Sequence, residues 1–136
     1  MKSIQKIIWE FGGPAALYES GKIAVHIDPF NDLFIEFEGR TSPNALASVN
    51  VTFETRERGR KPLQLVMRFE ICDMGWYPYY FRNELEVFEG KVYKVDDQGR
   101  VESVDPGMKQ LLIEAAKFWD GQLARLDYVT MTGARS

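Results

Sequence analysis

From Asp105 to Leu126, the residues Met108, Leu111, Leu112, Ala115, Ala116, Phe118, Trp119, Leu123 and Leu126 form one stripe at the helical period of about 3.6 residues. Lys109, Glu114, Lys117, Asp120 and Arg125 fall opposite, with Gln122 a polar intruder and Ile113 a large apolar residue outside the stripe. Asp105 is placed to cap the first turn, and Pro106 occupies the first helical position, where its missing N–H costs nothing. Gly121 weakens the helix interior by up to about 1 kcal/mol relative to alanine, so a bend or early end would fall there. A helix with so broad an apolar face needs a surface to cover.

The upstream chain supplies one. Ile23, Val25 and Ile27 alternate with Ala24, His26 and Asp28, and Leu33, Ile35 and Phe37 alternate with Phe34, Glu36 and Glu38. The turn-rich Pro29-Phe30-Asn31-Asp32 between them makes this a hairpin. Both apolar sets reach one face only if opposed residue numbers sum to an even value, and one such register sets His26 opposite Glu36. A second hairpin joins Val49, Val51 and Phe53 to Leu63, Leu65, Met67, Phe69 and Ile71, through a polar connection in which Gly59 can supply a positive φ. Further short strands are expected at 84–88, 91–95 and 100–104, the last two separated by Asp96-Asp97-Gln98-Gly99. Residues 4–11 fit a helical stripe (Ile4, Ile7, Ile8, Phe11) and a strand equally, and Gly12-Gly13-Pro14 stops either.

The expected fold class is therefore α+β: an antiparallel sheet of hairpins, a meander open to strong curling, covered by one long C-terminal amphipathic helix. At 136 residues, 45% of them hydrophobic, one core and a single domain over 1–136 are expected without help from disulfides or metals.

Charge and composition narrow the function classes. A net charge of −3 attracts neither nucleic acid nor an anionic membrane over the whole surface. No stretch approaches the roughly 18 apolar residues of a membrane span, and the polar Met1-Lys2-Ser3-Ile4-Gln5-Lys6 is no signal peptide, so a reducing cytoplasm is the expected compartment. One cysteine and one histidine cannot build a Cys/His zinc site, and no cofactor or metal is called for.

Four features could carry chemistry. His26 lies beside Asp28 and, in the register above, near Glu36 and Glu38, which suits a general base or a carboxylate-rich divalent-metal site, as in an enzyme or metal-dependent hydrolase built around His26, Asp28 and Glu36; the same residues also suit the solvated face of a half-buried hairpin. Cys72 alternates onto the face of Arg68, which would favour its thiolate. Arg56, Arg58, Arg60 and Lys61 concentrate positive charge on a hairpin tip that could meet nucleic acid or an acidic partner, although Glu54 and Glu57 dilute it and no aromatics interleave. Finally, Trp76, Tyr77, Tyr79, Tyr80 and Phe81 crowd around Pro78. Alternate residues of a strand face opposite ways, so these aromatics cannot all enter one core. Tyr and Trp dominate binding hot spots. The sequence accordingly favours a small binding protein over an enzyme, engaging a protein partner or small ligand through Trp76, Tyr77, Tyr79 and Tyr80, with a homodimer compatible and nucleic acid disfavoured.

Overall fold

The computed structural model describes residues 2–38, 47–57, 59–72, 75–84, 88–95, 97–98, 101–125 and 129–130. Two helices, α1 (Lys2–Phe11) and α2 (Pro14–Ser20), precede six consecutive strands: β1 (Lys22–Asp28), β2 (Asn31–Glu38), β3 (Ala47–Thr55), β4 (Leu63–Cys72), β5 (Gly75–Asn83) and β6 (Phe88–Lys91). A small hairpin, β7 (Tyr93–Val95) and β8 (Val101–Val104), leads into α3 (Pro106–Arg125), and β9 (Val129–Thr130) follows. The main sheet runs β6-β5-β4-β3-β2-β1-β9, antiparallel at every junction and not closed into a barrel.

Residues 2–11 resolve as helix, because Ile4, Ile7, Ile8 and Phe11 are buried on one side of it. At its end Gly13 adopts φ +92° and Pro14 opens α2, while Gly21, at φ +79°, returns its N–H to the Leu17 carbonyl at 2.7 Å and closes α2. The inward residues of the sheet are those the alternation selects: Ile23, Val25, Leu33, Ile35, Val51, Phe53, Leu65, Met67 and Phe69 are buried, and Phe37 is half-buried. They form one apolar cluster with the four α1 residues, Leu17 of α2, and Leu112 and Leu123 of α3.

The C-terminal helix forms as expected, with the Met108 N–H donating to Asp105 Oδ1 at 3.0 Å and no interruption at Gly121. Its buried stripe is narrower than the sequence suggests. Leu112 and Leu123 are enclosed, Met108, Ala115, Ala116 and Trp119 partly so, and Leu111 and Phe118 stay exposed; Leu126 lies outside the described residues. The reason is that α1 and α2 also pack on the cluster, so α3 covers only part of the sheet. In the strand-rich stretch after β5, the expected strand at 84–88 gives way to a turn at Glu84 and a strand at 88–91, with 85–87 outside the described residues.

Candidate functional site

Where α1, α2 and the ends of β2, β4 and β5 meet, a hollow of about 440 Å³ opens between Trp9 and Trp76, with Ile8, Pro14, Phe37 and Ile71 as its other apolar walls and Gln5 as its polar one. Trp9 falls outside the buried α1 stripe and is 69% exposed. Its ring lies against Gly13: a β-carbon there would stand 3.2 Å from Trp9 Cζ3. The absent side chain lets the indole settle on the backbone, which holds one wall in place. Trp76 alternates onto the inward face of β5, 5.8 Å from the Phe69 ring. It also borders a second hollow of about 230 Å³, formed with Phe69, Pro78, Leu112, Ile113 and Ala116 and edged by Lys117 and Asp120. Ser3 ties the two helices beside this second hollow, its N–H donating to Asp120 Oδ1 at 2.8 Å and its hydroxyl to the Asp120 carbonyl at 3.1 Å.

The aromatic run is divided between the two faces of the sheet. Pairing of β4 with β5 shifts between Arg68 and Phe69: Arg68 opposes Tyr80 and Phe69 opposes Pro78, which leaves Tyr79 as an inserted residue. Before the bulge Trp76 faces the core, and after it Phe81 does, buried to 1% exposure. Tyr77 and Tyr80 face away from the helices; Tyr77 is exposed and Tyr80 half-buried. Tyr79 is buried against Tyr93, ring centroids 5.1 Å apart, with Lys91 Nζ 5.8 Å from its own ring. The Tyr80 hydroxyl donates to Glu89. Burial, and then that hydrogen bond and the negative charge of Glu89, raise the Tyr80 phenol above its ordinary pKa. Of the four aromatic residues expected to form one binding surface, Trp76 borders both hollows described above.

The histidine face and the basic tip, separate features in the sequence, are joined by Asp32, the last residue of the turn-rich segment 29–32. His26 opposes Asp32 and not Glu36, four residues further along β2. The hairpin is tighter than a sum-of-62 register would need because Asp28 Oδ1 accepts the N–H groups of Phe30 and Asn31, both at 2.8 Å, and closes the turn there. Parity is conserved, so the apolar residues keep their face. His26 Nδ1 lies 3.0 Å from Asp32 Oδ1, and the Arg56 guanidinium lies 2.7 Å from Asp32 Oδ2. Asp32 is itself buried. Glu36 sits opposite Lys22 instead, 4.0 Å from its ammonium.

Partial burial pushes the Asp28 carboxyl up, but the Asn31 side chain, the two turn N–H groups and the nearby His26 together hold it below the ordinary carboxylate value. Asp28 is thus engaged in its own turn, and the His26/Asp28/Glu36 grouping does not assemble. On the tip, Arg60 pairs with Glu57 at 3.3 Å, Gly59 takes the positive φ its loop requires, and Arg58 lies outside the described residues. Two of the tip's cations are therefore already answered by carboxylates.

Cys72 ends β4 opposite Gly75, and its side chain lies outside the described ones. Among the described residues no cluster of three or more His, Cys, Asp or Glu side chains is arranged to hold a metal ion, and no helix is long and apolar enough to cross a membrane. Compared with protein-family models, with curated proteins and with solved structures, the chain shows no significant match. The class the fold defines is an α+β protein with an open antiparallel meander and helices over one face.

Proposed function

We propose that this protein is a binding protein that receives an apolar group in the hollow between Trp9 and Trp76. The observation that carries the reading is the hollow itself: its volume lies in the range of small-ligand sites, and its walls are aromatic and aliphatic with a single amide, Gln5. Such a lining offers dispersion contact and one orienting hydrogen bond, and it offers no nucleophile or acid–base pair. The aromatic segment keeps the binding role expected of it through Trp76, while Tyr79 and Phe81 are taken up by packing and Tyr77 and Tyr80 lie on the opposite face. A cytoplasmic location and self-association belong to the same reading; the latter would show in sedimentation equilibrium.

The test is titration of the purified protein with Nile red, a neutral fluorophore that brightens in apolar surroundings. Saturable enhancement is expected, lost at least in large part in Trp76→Ala and Trp9→Ala, and retained in Tyr77→Ala. Absence of binding in the wild-type protein, or equal loss in Tyr77→Ala, would exclude this site.

A further inference from the structure

We propose that the furrow over Trp76 takes a free single-chain amphiphile with a carboxylate head, its chain lying in the two hollows and its head at Lys117. This rests on the ligand-binding reading above and specifies the ligand's chemistry. Trp76 lines both hollows, and a linear apolar chain lying across its indole would use both. The two charged residues at the edge of the smaller hollow differ in their surroundings. Asp120 accepts the Ser3 N–H in the first turn of α1, where the helix dipole places partial positive charge, so its carboxylate is answered within the fold. Lys117, three residues earlier on α3, is exposed and has no ion-pair partner among the described residues.

On the α1 side, neither Lys2 nor Lys6 lines either hollow, and Lys6 has Glu10 beside it at 3.9 Å. A neutral chain would leave Lys117 unused, and a cationic head would oppose it. A carboxylate at the end of an apolar chain complements both the walls and the charge.

The experiment is displacement of bound Nile red by dodecanoate, kept below its micelle concentration, and by dodecanol, kept below its solubility limit, from the wild-type protein and from Lys117→Gln. Lys117 is exposed on a helix surface, so the variant should fold normally. Dodecanoate is expected to displace the dye at roughly three- to five-fold lower concentration than dodecanol, a modest factor because the pair is exposed to solvent. Lys117→Gln is expected to remove that advantage by weakening dodecanoate alone. Equal displacement by the two in the wild type, or an advantage that survives Lys117→Gln, overturns the head-group assignment while leaving the apolar site standing. Binding to phosphatidylglycerol vesicles without binding of free dodecanoate would also overturn it, in favour of a membrane surface. If Nile red itself never binds, the site and its ligand fall together.

Discussion

Trp119 of α3 stacks flat on Phe53 at the centre of the sheet, ring centroids 4.3 Å apart and planes 14° from parallel. This contact fixes where the last helix crosses the strands. Its neighbour Phe118 meets Trp119 edge-on but is exposed. Trp119→Ala should therefore destabilise the protein by about 3 kcal/mol, toward the lower end for large aromatic truncations because Trp119 is only partly buried. Phe118→Ala should cost less than about 1 kcal/mol. Urea denaturation of both variants checks the contrast.

Gly13 supports Trp9 and has a backbone conformation, φ +92° and ψ 177°, that side chains rarely tolerate. Gly13→Ala should cost about 1–3 kcal/mol from that strain. It should also push the Trp9 indole off its seat, so Nile red affinity should fall further than the loss of stability explains. Measuring dye binding at a temperature where the variant is fully folded separates the two effects.

Asp32 is the buried junction between His26 and Arg56, and its removal leaves both cation-capable groups without it. Because those partners are each nearly half exposed, Asp32→Ala should cost only about 1–3 kcal/mol. His26→Gln should cost well under that, since Arg56 still holds the carboxylate. A double-mutant cycle between Asp32 and Arg56, read by chemical denaturation, should return a favourable coupling; a coupling of zero would show the pair to be incidental.

The two shifted groups act at opposite ends of the pH scale. Asp28 ionises more readily folded than unfolded, so its contribution to stability is fully present above about pH 4 and is lost as pH falls through its lowered folded value. Tyr80 holds its proton more tightly when folded, so its contribution is intact below about pH 10 and is lost as pH rises from there toward the raised folded value. In Asp28→Asn the acid limb of the stability profile should flatten. In Tyr80→Phe the alkaline limb should flatten, and the ultraviolet titration should lose a late-ionising phenol.

How much of this was legible in the sequence depends on the range of the interaction. The inward face could be named residue by residue because period-two alternation is local: Ile23, Val25, Ile35, Val51, Phe53 and Met67 needed no tertiary knowledge. The register of the first hairpin was not legible from alternation alone, since every even-sum pairing satisfies it. The hydrogen bonds of Asp28 within its turn decide it, and they bring Asp32 to His26. The aromatic run showed that its members must divide between faces, but the division depends on a bulge at Tyr79, which Pro78 beside it signals without fixing the residue inserted. The hollow was further from view. It unites α1 with β2, β4 and β5, and Trp9 gave one local sign of it, as a tryptophan lying off the buried stripe of its own helix.

The hydrogen bonds from Ser3 to Asp120 span a sequence separation of 117 residues. Closing a loop of that length costs more chain entropy than forming the hairpin contacts of the meander. Of the two hollows that Trp76 lines, the smaller takes walls from α3 as well as from β4 and β5 and lies beside this contact, so it is complete only when α3 is docked. A chain with its meander formed and α3 undocked would lack that hollow. Ligand occupancy would then report completion of the fold, and would stabilise the closed state over any intermediate in which α3 has yet to dock.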